Sequence, residues 1–271
     1  MIETSPPYPA DSAAPRAAGI HRVLYVRDVS SSAFVLRFSR EGLAFRAGQW
    51  VNLGLPRSRD QREYSLYSSP GDSFLEVLVK EIPEGTVSRA LRRCRPGDAL
   101  EVDGPHGSFT LVEGTRSSAQ FLFIATGTGV SPFHCFARDN PDLDYLLLHG
   151  VRDASELYDS GSFTPDRFIP CISRGHGAES AGYGVLAERV RPSGRARTRA
   201  LPYGVLSERV PPYSGPRNAY AGRVTSWLAE QPLETSRYCY LCGNSDMIYE
   251  AYALLRKRGV PHSRIFAEVY F

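Results

Sequence analysis

The sequence predicts a β + α/β molecule: an antiparallel β-barrel over residues 20–113, then a doubly wound parallel-sheet domain over residues 114–271. Three observations carry this. Short segments rich in β-branched and aromatic residues recur up to about residue 111, separated at nearly regular intervals by Gly/Pro/Ser turns. Near residue 114 the pattern changes to continuous apolar runs alternating with helical stretches, as expected for parallel strands buried on both faces. A Gly-rich turn joins the first of these runs to a helix. The 271 residues suit one large or two medium domains.

Each element follows in order. Residues 1–19 are rich in Pro and Ala and lack the apolar core of a secretory signal, so a disordered tail is expected. Strands are expected at Arg22–Val29, Ala33–Ser39, Trp50–Leu53, Glu63–Ser68 and Phe74–Glu81. A short helix follows at Val87–Arg93, then strands at Leu100–Val102 and Ser108–Leu111. In the second half, Phe121–Ala125, Tyr145–His149, Phe168–Ser173, Tyr238–Cys242 and Ile265–Phe271 are apolar runs. Asn244–Arg258 is the best-marked helix. Asn244 or Ser245 can cap it, Met247, Ile248, Ala251, Leu254 and Leu255 form one apolar face, and Gly259 and Pro261 end it.

Composition excludes several classes. The net charge is only +3, unlike a protein built to neutralise nucleic-acid phosphates, and no run of 18 apolar residues predicts a membrane span. Five cysteines, an odd number, with no export signal point to reduced thiols in the cytoplasm. They form no iron–sulfur spacing, and no metal site is expected. Cys239 and Cys242 spell C-x-x-C, but both fall on an expected buried strand rather than at a helix start, where a thiolate is stabilised.

Three segments carry candidate chemistry. In Thr126–Pro132 the glycines Gly127 and Gly129 allow close backbone approach to a pyrophosphate at a helix start, although glycine needed only for packing gives the same pattern. In Arg62-Glu63-Tyr64-Ser65 a cation and an aromatic share one strand face, suited to a phosphate and a flat ring, and equally to a solvated surface. Glu84–Ser88 precedes a short helix, as an anion site or a simple cap.

In this order, with the C-terminus, these segments resemble the ferredoxin/flavodoxin–NADP(+) reductase family, bacterial type. The resemblance covers about residues 20–174 and 219–271. Its further elements are the pairs Val151-Arg152 and Ser173-Arg174, the triplet Cys242-Gly243-Asn244, and the ending Glu268-Val269-Tyr270-Phe271. It implies a barrel that binds FAD and a second domain that binds NADP(H). Arg62, with Glu63 beside it and with Thr86, Val87 and Ser88, would hold the FAD pyrophosphate. Tyr64 and Tyr270 would sandwich the isoalloxazine, with Ser65 near its N5, Leu78 and Thr128 beside the ring, and Phe271 towards the adenine. Gly127, Thr128, Val151, Ser173, Gly243 and Asn244 would line the NADP site. Arg152, Arg174 and Arg223 would surround a 2′-phosphate, favouring NADPH. Cys242 would touch the nicotinamide, and Glu268 would relay a proton or aid electron exit. Ser65, Cys242, Glu268 and Tyr270 are thus the expected catalytic set.

The implied activity is hydride transfer between NADPH and FAD, and single-electron exchange with ferredoxin or flavodoxin. The alternatives are an NAD(P)H-dependent reductase component of an oxygenase system and a non-catalytic flavin-binding module. One segment departs from the family. Between residues 175 and 219 an insert holds seven arginines against three glutamates and repeats YGVLAERVRP (183–192) as YGVLSERVPP (203–212). A solvated duplicated loop or a contact surface for an acidic partner would both account for it.

Overall fold

The computed structural model describes residues 19–58, 60–174 and 219–270. The expected tail except Gly19, which begins the first strand, nearly all of the insert with its repeat, and Phe271 lie outside them. Six strands build the first half: β1 (Gly19–Asp28), β2 (Ala33–Ser39), β3 (Trp50–Gly54), β4 (Gln61–Ser65), β5 (Phe74–Lys80) and β6 (Ala99–His106), with helix α1 (Thr86–Arg92) between the last two. They form one antiparallel sheet in the order β4-β3-β6-β1-β2-β5. Its outer strands curl together. A bridge between Leu66 and Val77 and a bond from the Tyr67 N–H to the Glu76 carbonyl (2.8 Å) draw the end of β4 to β5. Closure removes the unpaired edges that an open sheet would expose.

The expected strand Ser108–Leu111 does not form. β6 instead runs eight residues, and the chain leaves it as a connector. The connector buries Phe109 and Leu111 between the two halves. Its backbone is satisfied by one side chain in place of a strand ladder: the Tyr240 hydroxyl donates to the Thr110 carbonyl (3.1 Å) and accepts from the Val112 N–H (3.1 Å).

The second half holds β7 (Gln120–Thr126), α2 (Ser131–Asp139), β8 (Asp144–Val151), β9 (Phe168–Ile172), β10 (Tyr220–Ala221), α3 (Val224–Glu230), β11 (Tyr238–Asn244), α4 (Ser245–Lys257) and β12 (Ile265–Tyr270). All six strands are parallel, in the order β10-β9-β8-β7-β11-β12. The order reverses direction between β7 and β11, where an open α/β sheet forms its crevice. α4 ends as a Schellman motif. Gly259 has φ +91°, and the N–H groups of Gly259 and Val260 bond to the carbonyls of Arg256 and Leu255.

Period two along β7 splits the core. Phe121, Phe123 and Ala125 face the layer shared with the barrel, while Leu122 and Ile124 face the layer under α3 and α4. Cys239 and Cys242 likewise point to opposite faces, and all five cysteines are free, so the C-x-x-C run is no redox pair. The first layer joins barrel residues such as Phe34 and Leu75 with Phe123, Phe133 and Tyr240 in one continuous core.

Candidate active site

The two glycines of the β7 turn have different duties. Gly127 stands at φ +54°, with open space where a side chain would begin. A side chain on Gly129 would collide with the backbone of Cys242 and Gly243. One glycine therefore opens the turn and the other lets it press against β11. Buried His149 donates from Nε2 to the Gly127 carbonyl (2.9 Å), and burial lowers its pKa to about 4. Thr126 Oγ1 accepts from the Asn244 N–H (3.0 Å), tying the ends of β7 and β11 across the crevice. The Asn244 side chain then caps α4 through the N–H groups of Asp246 and Met247.

At that crevice, Ser65, Cys242, Glu268 and Tyr270 meet. Cys242 and Glu268 are register partners on β11 and β12, as are Asn244 and Tyr270. The Tyr270 hydroxyl donates to Ser65 Oγ (2.6 Å), and Ser65 Oγ donates to Glu268 Oε2 (3.1 Å). Cys242 Sγ lies 4.0 Å from the same carboxylate oxygen. Residues more than 200 positions apart thus form one chain across the domain boundary. Burial, reinforced by the charge of Glu63, raises the Glu268 pKa to about 7 despite the Ser65 hydrogen bond. Burial, then the Glu268 charge, pushes the Cys242 thiol up, and burial does the same to the Tyr270 phenol. Near neutral pH the cluster therefore contains one group able to exchange a proton.

Two cavities join there. One, of about 760 Å³, is lined on the barrel side by Trp50, Arg62, Glu63, Tyr64, Ser65 and Leu78 and by Thr86, Val87 and Ser88. The other, of about 560 Å³, is lined by Gly127, Val151, Arg152, Ser173, Arg223, Gly243 and Asn244, with Cys171 at its wall. Lys80, Thr128 and Tyr270 line both. The first has the features a flavin dinucleotide requires. Two tyrosines flank it, Arg62 offers a cation, and α1 begins at Gly85 without a side-chain cap, leaving N–H donors available. Ser88 Oγ accepts from the Ile82 N–H (3.1 Å), which fixes the hydroxyl in place and leaves its proton to donate.

Arg152 and Arg223 are exposed in the second cavity. Arg174 is exposed too but is not among its lining residues; its N–H bonds to the Arg152 carbonyl (3.0 Å). Sequence reasoning missed Lys80, Trp50 and Glu156. Glu156 accepts from the Arg152 N–H (3.0 Å) and lies 3.7 Å from Lys80. Nothing local marks these residues; only the packing of distant segments brings them to the cleft.

Comparison with known proteins places this geometry. Residues 21–111 match the family model of the oxidoreductase FAD-binding domain. The chain is 41% identical over 260 residues to ferredoxin–NADP reductase B of Sorangium cellulosum, covering 92% of this chain and 96% of that one. It is 35% identical over 167 residues to the aromatic O-demethylase reductase subunit of an Amycolatopsis species, spanning 56% of this chain and half of that relative's length. Among solved structures, Amycolatopsis cytochrome P450 reductase GcoB superposes with a TM-score of 0.71 at 26% identity, covering 94% of this chain and 70% of that one. A Neisseria gonorrhoeae ferredoxin NADP+ reductase with bound FAD and NADP superposes with a TM-score of 0.71 at 19% identity, over 94% of this chain and all of that one, and so shares the fold.

Proposed function

The chain belongs to the ferredoxin–NADP reductase family, and from that premise we propose that it is a cytoplasmic reductase exchanging electrons between NADPH and ferredoxin or flavodoxin. Its barrel is an FAD-binding domain, and its activity is that of a flavoprotein oxidoreductase. When bound, FAD supplies the conversion between two-electron and one-electron transfer. The chain's own residues orient and insulate it. Tyr64 and Tyr270 would flank the ring, Arg62 and the uncapped turn at Thr86–Ser88 would receive the pyrophosphate, and Ser65, bonded to Tyr270 and Glu268, would stand at the reacting edge. Glu268, beside Ser65, is protonated below about pH 7, where it can act as an acid, and ionised above it, where it can accept a proton. Tyr270 lines both cavities and would have to yield its place to a nicotinamide that reached the flavin.

The observation that carries this reading is the Tyr270–Ser65–Glu268 chain, with Cys242 beside it, where the two cavities meet. The test is direct. Purified protein should carry or take up FAD, and NADPH should bleach its visible absorbance. A protein that cannot be loaded with FAD, or whose bound flavin NADPH leaves oxidised, would end the reading. Arg152→Ala and Arg223→Ala, whose side chains line the second cavity, should each weaken NADPH use at least fivefold more than NADH use. Equal loss with both coenzymes would remove the 2′-phosphate role.

A second reading has its own support. Similarity to the O-demethylase reductase subunit makes an oxygenase component an alternative acceptor. Steady-state rates with purified ferredoxin, flavodoxin and an oxygenase would separate the two.

A further inference from the structure

The segment from Arg152 to Asp159, between β8 and β9, carries Arg152 into the coenzyme cavity, yet most of its polar anchors lie on the barrel or within itself. Arg27, on β1, donates from Nη1 and Nη2 to Oδ1 and Oδ2 of Asp159 (2.9 and 2.7 Å). The buried Tyr67 hydroxyl donates to the same Oδ2 (3.1 Å). Tyr67 itself is fixed: its ring stacks on His134 of α2, with centroids 3.7 Å apart and planes 7° from parallel, and its carbonyl accepts from His134 Nδ1 (2.8 Å). At the other end of the segment Glu156 faces Lys80 (3.7 Å) and holds the Arg152 N–H.

The backbone adds a second sign of constraint. Asp159 stands at φ +42°, a region that asparagine, aspartate and glycine tolerate best. Two short turns, Glu156 N–H to Asp153 carbonyl and Leu157 N–H to Ala154 carbonyl, make the intervening chain stiff. Buried Tyr158 fixes it from below. A shift at Asp159 is therefore passed to Arg152 rather than absorbed on the way.

We propose that Arg27, Asp159 and Tyr67 form a clasp between the two domains that positions the Arg152–Glu156 segment for the coenzyme phosphates, which makes Asp159 a positioning residue for coenzyme binding. The proposal rests on the NADPH-dependent reading above. A bidentate pair to a planar guanidinium fixes direction as well as distance, which a single-point contact does not.

Asp159→Asn is the sharpest test, because asparagine keeps the size and tolerates the positive φ while losing the charge. In FAD-loaded protein it should raise the NADP+ dissociation constant and the NADPH KM about tenfold. The rate at saturating NADPH and the FAD dissociation constant should stay within twofold. Arg27→Met should do the same, Arg27→Lys should recover part of the loss, and the Arg27→Met/Asp159→Asn double variant should be no worse than either single one. Arg27 is 41% exposed, so its variants carry the test if Asp159→Asn fails to fold. Unchanged coenzyme affinity would overturn the proposal. So would a parallel fall of FAD affinity, melting temperature and coenzyme affinity, which would mark a merely structural pair. Wild-type protein that binds neither FAD nor NADP+ would instead sink the reading beneath it.

Discussion

At the scale of single residues, Glu268 is where chemistry and environment meet. Its carboxyl ionises near pH 7 because burial disfavours the anion more than the Ser65 hydroxyl favours it. When NADPH is oxidised and electrons leave singly, a proton must depart, so the carboxylate is the active form. Turnover with a one-electron acceptor should therefore rise with pH through about 7. In Glu268→Gln it should fall roughly ten- to hundredfold, the range of a single acid–base group, and lose this dependence; a pH–rate profile of both proteins checks it. Ser65→Ala should cost on the order of 1–3 kcal/mol by leaving the Tyr270 hydroxyl without its acceptor, read as a drop in melting temperature. Ser65, Cys242, Glu268 and Tyr270 were all legible as separate motifs. Their meeting was implied only by the family resemblance, since no pattern in the chain itself relates position 65 to position 268.

At the scale of elements, strands were legible wherever burial dictated composition. β7 reads as five apolar residues because both its faces are covered. Ser108–Leu111 misled because Phe109 and Leu111 alternate with polar residues as in a strand, but the backbone groups of Thr110 and Val112 pair with the Tyr240 hydroxyl of a distant element and not with a neighbouring strand. The glycine turn makes a sharper prediction. Gly129→Ala pushes the turn off the backbone of Cys242 and Gly243 and should destabilise by about 1–3 kcal/mol, as overpacking does. Gly127→Ala meets no neighbour and should cost only about 1–2 kcal/mol for its left-handed backbone. Its larger effect should be on coenzyme affinity. Urea melts and NADP+ titrations of both variants distinguish these outcomes. The insert offers another test. The chain leaves the sheet after Ile172 and returns at Tyr220 beside Cys171, so both ends of the excursion lie on neighbouring strands. Deleting residues 176–216 with a short linker should leave FAD binding within twofold; flavin titration decides.

At the scale of the molecule, one core and several polar bonds cross the boundary between the halves. Cys135 donates to the Ser68 carbonyl (3.0 Å), His134 to the Tyr67 carbonyl, and Arg138 pairs with Asp72 (3.1 Å). Unfolding should accordingly be a single transition. Its acid sensitivity follows from His134 and His149, both held neutral with pKa values near 4 by burial. The unfolded chain binds their protons at about 6.5. Stability from each is therefore present above 6.5 and falls by on the order of 2–3 kcal/mol as pH drops to 4. Glu268, raised to about 7, works in the opposite sense over part of that window, one group against two. Melting temperatures measured from pH 7 to 4 should decline, and more steeply in Glu268→Gln. Residues Tyr67 to Asp72 serve both halves: they bond to Glu76 and Arg40 within the barrel, and also to α2 and Asp159. Anyone building chimaeric reductases by exchanging coenzyme modules must therefore match that stretch to both its neighbours; a junction drawn only at the interdomain connector would splice together surfaces that were never shaped for each other.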